Sequence, residues 1–479
     1  MKNLNISLGV SVGLGLFYSP FSSLSAKDQD KKMNIVFLLA DDLRWNSIGC
    51  FGNDVVHTPN LDRLAEAGVK FENTYVTTPI SMVSRASILT GQYMSRHGIN
   101  RFSKEINEGS FADTYPSVLR RNGYYTGFVG KYGVGRIRED DFDYVNSYEG
   151  LHWMPLNGAR INVLGKDENG LLYTKIQGDS IHVTDKNLND AINFLENRPT
   201  DKPFCLSVSF FATHAQDNHH DQYRYKPSSE KYYQDIEIPM PVTSTPQHYY
   251  SLPPFIANEK CESRVRWHWR FDSPEKYQKY MKAYYRMVTE IDLAVGEIIE
   301  KLKEQGELDN TLIIFTGDNG YFQSDFQIAD KWYAYEQSIR VPLIVFDPRI
   351  PAGRRGVSYE EIALNIDIAP TLVSASGSPV PNVMQGEDLS TIYLKKKHPR
   401  RDDFFFEHPF INNEEFIPSS QAVISIQEKY ILYPHYGFQQ YFDLRKDPLE
   451  TDNAFLRLKD SRKMKKLKKR FQELKTMAK

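Results

Sequence analysis

The sequence predicts an α/β protein in which a large, mainly parallel central sheet is flanked by helices, with a small antiparallel sheet and a helix packed together near the carboxyl end. Three observations predict this fold. Apolar runs typical of buried strands recur along the 479 residues, helical segments alternate with them, and short strands dominate near the end. We predict a signal peptide at 1–25, a main α/β domain at 26–375 and a C-terminal α+β subdomain at 376–479.

The first residues have the pattern of a secretory signal peptide. Lys2 precedes an apolar stretch, and the small residues Ser23 and Ser25 suit the positions before a cleavage site. The stretch is too short for a membrane span. We therefore expect an exported protein, located in the periplasm, without stable membrane insertion.

The strands of the main sheet are predicted from continuous apolar runs, because a central parallel strand is covered on both faces. These runs occupy residues 34–40, 125–129, 203–211, 311–316 and 341–346.

Apolar residues at helical spacing predict helices at 61–67, 116–122, 185–196 and 274–305. Residues 215–275 break this periodicity, and a loop of such length in a compact domain is usually functional.

The last part of the chain changes pattern. Short strands are predicted at 404–407, 422–426, 430–433 and 440–443, which suggests a small antiparallel sheet. Apolar residues at helical spacing in the lysine-rich tail predict one amphipathic helix, whose basic face we interpret as solvated surface.

Composition excludes some classes of protein. A formal net charge of -2 gives no reason to expect nucleic acid binding. The cysteines Cys50, Cys205 and Cys261 are too few and too scattered for a disulfide framework or a zinc site, although one disulfide is compatible with an oxidising compartment.

Acidic and amide side chains follow two of the predicted strands. Asp41 and Asp42 follow the first strand, and Asp318 and Asn319 follow the strand at 311–316. Because open α/β sheets bind ligands at the carboxyl ends of their strands, these four side chains are candidates for one cation site. All offer oxygen, which favours Ca²⁺, with Mg²⁺ as the alternative.

The segment from Ser84 to Gly91 has features of an anion-binding site. Residues 86–90 favour a short helix, Ser84 is a candidate amino-terminal cap, and Gly91 suits the left-handed position that ends a helix. A helix amino terminus attracts anions, and the guanidinium of Arg85 matches sulfate or phosphate oxygens.

The segment Ser81-Met82-Val83-Ser84-Arg85, which leads to Thr90-Gly91, resembles the signature of the formylglycine-dependent sulfatases of the alkaline phosphatase superfamily. The resemblance covers most of the chain in order. Its other motifs are Asp41-Asp42, Gly130-Lys131, His214, Gly317-Asp318-Asn319-Gly320, Lys331 and the run from Tyr335 to Pro342. The serine at position 81 and Gly-Lys-Tyr at 130–132 are similar to serine-type bacterial carbohydrate sulfatases such as N-acetylglucosamine-6-sulfatases.

The resemblance implies a fold, a reaction and a set of site residues. The fold is alkaline phosphatase-like, and the reaction is hydrolysis of sulfate monoesters by formylglycine (3-oxoalanine) made from Ser81. The implied cation ligands are Asp41, Asp42, Ser81, Asp318 and Asn319. The implied catalytic residues are five. Ser81 becomes the aldehyde, Arg85 and Lys131 fix its hydrate, and His214 and Lys331 bind sulfate and assist the leaving oxygen.

Two positions depart from the family pattern. Val83 stands where proline is common, and Gly133 stands where the family often has a histidine base. His97 is a candidate replacement for that base. Because Ser81 replaces the commoner cysteine, the resemblance implies maturation by a radical S-adenosylmethionine enzyme before export.

The segment 262–270 interleaves cations with indoles. It fits packing with surface charge as well as it fits a rim that stacks a sugar on Trp267 and clamps an acidic group with Arg264 and Arg266. Further substrate-binding candidates are Glu336, His219, His220 and Arg224. We expect a sulfated carbohydrate substrate: a glycosaminoglycan, a mucin-type glycan or another polysaccharide fragment.

Three alternatives stay open. A phosphomonoesterase or phosphodiesterase of the same superfamily would use the same cation site. A choline or aryl sulfatase would share the reaction. If Ser81 is unmodified, the chain would be a catalytically inactive glycan-binding homologue.

Overall fold

The computed structural model describes residues 31–138, 140–395 and 401–479. The predicted signal peptide lies outside these residues. Residues 33–479 form one unit, and the predicted boundary between 375 and 376 stays a prediction. Within the described ranges, none of the helices combines the length and the apolar character that crossing a bilayer requires.

An eight-stranded sheet forms the centre of the described protein. Its strands, in chain order, are β1 (Asn34–Ala40), β2 (Val69–Tyr75), β3 (Tyr125–Gly130), β4 (Tyr144–Ser147), β9 (Phe204–Phe210), β10 (Thr311–Gly317), β13 (Leu343–Phe346) and β14 (Val357–Leu364). Their spatial order is β14-β2-β13-β10-β1-β9-β3-β4. Only the two pairings of β13 are antiparallel, which confirms the predicted mainly parallel sheet.

Four short strands form two hairpin-like sheets on the way to β9. They are β5 (Trp153–Pro155), β6 (Arg160–Lys166), β7 (Leu172–Gln177) and β8 (Ser180–His182). β5 pairs with β8 and β6 pairs with β7. Two more short strands, β11 (Phe322–Gln323) and β12 (Ala329–Asp330), pair after β10.

Helices cover the sheet. They are α1 (Pro59–Ala67), α2 (Ser81–Thr90), α3 (Met94–His97), α4 (Glu108–Phe111), α5 (Tyr115–Arg121), α6 (Val183–Asn197), α7 (Pro246–Tyr249), α8 (Glu262–Arg270), α9 (Pro274–Glu304), α10 (Glu336–Ile339), α11 (Ile368–Ala375) and α12 (Ser390–Leu394). Two apolar cores result. One contains α2, α5 and α11, and the other contains α1, α6 and α9.

The C-terminal part has the predicted small antiparallel sheet and helix. The sheet consists of β15 (Phe404–His408), β16 (Ser420–Ile424), β17 (Glu428–Tyr433) and β18 (Phe438–Asp443), followed by α13 (Phe455–Leu458) and α14 (Arg462–Met477). α14 buries Met464, Phe471 and Leu474 against one face of this sheet, as its amphipathic pattern predicts.

Two predictions about helices need correction. α2 begins at Ser81 rather than Ala86, so Ser84 lies inside the helix and does not cap it. The amide of Ser84 donates to the carbonyl of Ile80, and its hydroxyl accepts from Asn365. Gly91 ends the helix with φ 66°, as predicted. The predicted loop at 215–275 contains α7 and α8.

Candidate active site

The register of four parallel strands brings the candidate residues to one edge of the sheet. Ala40 pairs with Gly317 and with Phe210, and Gly130 pairs with Ser209. The residues that follow these strands therefore meet at the same edge. They include Asp41, Asp42, Lys131, His214, Asp318 and Asn319.

The two aspartates after β1 point into the same cluster from different backbone conformations. Asp42 has φ 54°, in the left-handed region, which an aspartate tolerates better than most residues. Its amide donates to Asp318 Oδ1 at 3.0 Å, and its carbonyl accepts from the hydroxyl of Tyr284 at 2.8 Å. The hydroxyl of Thr213 donates to the carbonyl of Asp41 at 2.9 Å. The buried backbone is thus fixed before any ligand binds.

Ser81 opens α2 directly beside these aspartates. Its Oγ donates to Asp41 Oδ1 at 2.9 Å and lies 3.5 Å from Asn319 Oδ1. The residue is 8% exposed. The serine hydroxyl, the carboxylates and the amide oxygen of Asn319 therefore form one group of oxygen donors.

Arg85 lies one helical turn after Ser81 and contacts three strands. Its Nε donates to Asp318 Oδ2 at 2.9 Å and its Nη1 to the carbonyl of Lys131 at 2.6 Å; Nη1 also donates to the hydroxyl of Ser209. Nη2 is buried, lies 3.5 Å from Asp41 Oδ2 and has no hydrogen-bond partner within the described part of the chain. One donor of this guanidinium is thus available to an anion.

Two lysines and a histidine complete the cluster. Lys131 donates to Asp41 Oδ2 and Lys331 donates to Asp42 Oδ1, which also accepts from Asn319 Nδ2 at 2.6 Å. His214 Nε2 lies 3.6 Å from Asp42 Oδ2, and its Nδ1 lies 2.6 Å from the carbonyl of Ala215. The structure therefore brings all the predicted catalytic residues to the predicted cation ligands.

The carboxylates of Asp41 and Asp318 differ in their electrostatics. Burial alone would raise the pKa of Asp41, but Lys131, Arg85, His214 and Lys331 outweigh it and hold that pKa well below its usual range. Burial, together with the charge of Asp41, raises the pKa of Asp318 to about 6. Burial would lower the pKa of Lys331, yet the neighbouring acids, Asp42 first, raise it. Asp41 is therefore more firmly charged than Asp318.

The donor set fits a hard divalent cation. Ligand atoms of Asp41, Asp42 and His214 all lie within 4.8 Å of one another. Ser81 Oγ adjoins Asp41, and Asn319 Oδ1 lies beside Ser81 Oγ while Asn319 Nδ2 donates to Asp42. Oxygen-rich sets of this kind suit Ca²⁺ or Mg²⁺. His214 was not among the predicted ligands, whereas Asp318 was. The two Asp318 oxygens already accept from the Asp42 amide and from Arg85.

Gly133, the position of the missing family histidine, lies against the cluster. Its φ is 69°, and a Cβ there would approach Arg85 Cδ to 2.9 Å. The proposed replacement, His97, has other partners. Its Nε2 lies 3.1 Å from the hydroxyl of Ser87, and its Nδ1 accepts from the amide of Ile99. The structure therefore does not place His97 among the catalytic residues.

The predicted substrate rim is mostly internal. Trp267 is 7% exposed, donates to the hydroxyl of Ser324 at 2.9 Å, and is covered by the guanidinium of Arg264 at 4.1 Å. Arg266 binds Asp217 at 2.9 Å and Asp330 at 2.6 Å. The indole is thus part of the core rather than a surface for stacking a sugar.

The remaining candidates lie apart from the cluster. Glu336 contacts Lys429 at 3.1 Å, next to the C-terminal sheet. His219 is buried against Thr174, and His220 pairs with Asp167 at 2.8 Å. Arg224 lines a groove of about 760 Å³ together with Trp153, Tyr225 and residues of α9.

The sequence reasoning missed five side chains beside the cluster. They are Ser209, Asp217, Arg270, Tyr284 and Asp330. Two of them had a signal in the sequence, because Asp217 follows His214 by three residues and Asp330 immediately precedes Lys331.

Comparison with known families agrees with this geometry. The sulfatase family model matches residues 33–378, and a model described as the C-terminal part of N-sulphoglucosamine sulphohydrolase matches residues 324–477.

Two curated relatives cover nearly the whole chain. An N-acetylglucosamine-6-O-sulfatase of Bacteroides thetaiotaomicron is 28% identical over 93% of this chain and 87% of its own length. An arylsulfatase of Clostridium perfringens is 27% identical over 88% of this chain and 90% of its own length.

Solved structures share the fold. A protein in complex with its substrate D-glucosamine-2-N,6-O-disulfate superimposes with a TM-score of 0.74 at 24% identity, covering 94% of this chain and 98% of that one. A phosphonate monoester hydrolase from Silicibacter pomeroyi gives 0.77 at 19% identity, covering 94% and 96%. The predicted fold class is confirmed.

Since the family model spans more than half of the residues, the chain belongs to the sulfatase family and is a sulfuric ester hydrolase.

Proposed function

We propose that this sulfatase removes O-sulfate groups from a carbohydrate, using formylglycine made from Ser81 and a bound Ca²⁺ ion. The observation that carries the proposal is the position of Ser81. Its hydroxyl, at the start of α2, donates to Asp41. Asp41 also pairs with Arg85 and Lys131, and the adjacent Asp42 pairs with Lys331. The likeness to an N-acetylglucosamine-6-O-sulfatase supports an amino-sugar sulfate as the first substrate to test.

Charge balance favours an anionic substrate once a divalent cation is bound in this cluster. The side chains of Asp41, Asp42 and Asp318 face Arg85, Lys131 and Lys331, so three acids are matched by three cations. A divalent cation held by these acids and Asn319 would leave excess positive charge. The single negative charge of a sulfate monoester offsets part of that excess, which a neutral or cationic substrate cannot do.

Formylglycine, when present as its hydrate, supplies the hydroxyl that attacks sulfur. We assign the other tasks to side chains of this chain. The free Nη2 donor of Arg85 and the ammonium of Lys131 orient that hydroxyl and the sulfate oxygens. Lys331, whose pKa is raised by acids, keeps its proton and neutralises charge on a sulfate oxygen.

His214 is the candidate general acid. Its Nδ1 faces the carbonyl of Ala215, a contact that places a hydrogen on Nδ1 and leaves Nε2 directed toward the cluster. When Nε2 is also protonated, it can donate to the departing sugar oxygen.

One experiment tests both the conversion of Ser81 to formylglycine and the choice of sulfate ester. Mass spectrometry of the peptide that contains Ser81 should show a loss of about two mass units on oxidation to the aldehyde. The converted enzyme should then release sulfate from N-acetylglucosamine 6-sulfate faster than from choline sulfate or an aryl sulfate. An unchanged peptide mass in an inactive protein would favour the glycan-binding alternative.

The same panel should include a phosphate monoester and a phosphate diester. The likeness to phosphonate monoester hydrolases concerns the fold alone. We expect the sulfate ester to be preferred, and preferred turnover of a phosphate ester would overturn the proposal.

Export to the periplasm and maturation by a radical S-adenosylmethionine enzyme are parts of the same proposal. They rest on the pattern of residues 1–25 and on serine at position 81. Coexpression with and without such a maturation enzyme, followed by mass analysis of the periplasmic fraction, would test both.

A further inference from the structure

A buried carboxylate next to Lys331 is not used by the proposed reaction. Asp330 ends β12 and is 1% exposed. Its Oδ2 accepts from Arg266 at 2.6 Å and from Arg270 at 2.9 Å. Its Oδ1 is buried, has no hydrogen-bond partner among the described residues, and lies 3.9 Å from the ammonium of Lys331.

The two arginines of α8 fix the orientation of this carboxylate. Arg266 also binds Asp217 at 2.9 Å, and Arg270 binds Asp217 at 2.5 Å and Gln222 at 2.7 Å. Because both arginines hold Oδ2, the other oxygen is turned toward Lys331. Arg266 also pairs with Glu262 at 2.6 Å, so three acids share these two arginines, and neither arginine is left to pair with Oδ1.

The backbone around Lys331 is also constrained. Asp330 has φ 77° and Trp332 has φ 88°, both in the left-handed region that non-glycine residues rarely adopt. Such conformations persist where surrounding contacts hold them. The contacts of Asp330 with α8 therefore set the backbone position from which Lys331 extends.

Lys331 lies between two carboxylates of different kinds. It donates to Asp42 Oδ1, which is a proposed cation ligand, while Asp330 Oδ1 has no hydrogen-bond partner in the part of the chain that the structure describes. When a cation occupies Asp42, the ammonium must give up part of that contact. An unpaired buried carboxylate oxygen costs free energy that a short ammonium contact would recover.

We propose that Asp330, held by Arg266 and Arg270, is a positioning residue that keeps the Lys331 ammonium directed at the sulfate group once the metal is bound. This inference rests on the proposed function, because it takes Lys331 to bind sulfate beside the cation. It also gives the arginine-rich segment 262–270 a role, because two of its arginines hold Asp330 in place beside Lys331.

A double-mutant cycle tests the inference without turnover. Sulfate binding is measured by isothermal titration calorimetry with sodium sulfate in excess CaCl₂, for wild type, Asp330→Asn, Lys331→Ala and the double variant. We expect Asp330→Asn to weaken sulfate binding about tenfold, within the range of coupling between contacting residues. We expect no further loss when Asp330→Asn is added to Lys331→Ala.

A matched control separates positioning from stability. Asp347 is an equally buried carboxylate that binds an arginine, Arg349, at 2.6 Å, and it follows the antiparallel strand β13 at the opposite edge of the sheet. Asp347→Asn should lower thermal stability without changing sulfate affinity. If Asp330→Asn fails to fold, Arg266→Gln replaces it, with an expected loss of about threefold that again vanishes beside Lys331→Ala.

The outcomes are distinguishable. The positioning role would be overturned if Asp330→Asn lowered sulfate affinity equally in wild type and in Lys331→Ala. It would also be overturned if Asp347→Asn lowered sulfate affinity as much as Asp330→Asn does. Either result would leave the proposed function intact. Absence of sulfate binding by the calcium-loaded wild type would overturn both.

Discussion

Two groups of cationic side chains lie at the candidate active site, and they use their charge differently. Arg85, Lys131 and Lys331 pair with carboxylates that also suit a metal ion. Arg266 and Arg270 pair with Asp217 and Asp330 behind them. Since only the carboxylates of the first group adjoin Ser81, a cation would release the first group to bind an anion and leave the second unchanged. Residues of one charge within one cluster can therefore have separate functions, which their ion-pair partners reveal.

The largest expected effect concerns the first group. Ser81→Ala should reduce sulfate release by at least about 10⁴-fold, because removal of a nucleophile eliminates the covalent route. Ion chromatography of released sulfate measures this. Ser87→Ala is the matched control, since Ser87 lies in the same helix but contacts His97. More than trace activity in Ser81→Ala would contradict the assigned nucleophile.

Metal removal should have the next largest effect. Chelation should abolish turnover, and Ca²⁺ should restore it at least as well as Mg²⁺, because the donors are mainly oxygen. Activity after dialysis against EDTA and readdition of each ion measures this. Recovery with Zn²⁺ alone would instead indicate that His214 is a ligand, since zinc favours nitrogen donors.

His214→Ala should separate two kinds of substrate. A sugar alcohol needs a proton to leave and a nitrophenolate does not, so kcat should fall roughly 10²- to 10⁴-fold on the sugar sulfate and much less on the aryl sulfate. The control is His219→Ala, a buried histidine with separate partners. Equal losses on both substrates would leave Lys331 as the better candidate acid.

The smallest expected effect extends the comparison to a third ion cluster. Glu336 and Glu450 both bind the buried ammonium of Lys429, so Glu336→Gln leaves that cation with one acid. We expect KM to stay within about twofold and the free energy of unfolding to fall by about 1 kcal/mol. Urea denaturation and steady-state kinetics measure these. A large rise in KM would instead indicate that Glu336 contacts the substrate.

Much of the cluster could be predicted from the sequence because it depends on strand ends. Asp41 and Asp318 each follow a continuous apolar run, and parallel strands place such residues at one edge. Lys131 and His214 also follow predicted strands, but their assignment to the site came from the resemblance to the sulfatases.

The support behind Lys331 could not be predicted in this way. Asp330 and Arg266 are 64 residues apart, and α8 was assigned to a loop because its polar and aromatic residues showed no clear apolar face. β6 was also missed, since all seven of its residues are exposed and no core imposes alternation on them. In both places the deciding contacts are tertiary.

The burial of Ser81 constrains when this residue can be modified relative to folding. Ser81 is the first residue of α2, its hydroxyl is hydrogen-bonded to Asp41, and the residue is 8% exposed. An oxidising enzyme needs the serine in its own active site, which a folded helix start in this cluster does not permit. If Ser81 is converted to formylglycine as proposed, the oxidation must therefore precede folding and act on an extended chain, so that α2 forms around a residue that is already modified.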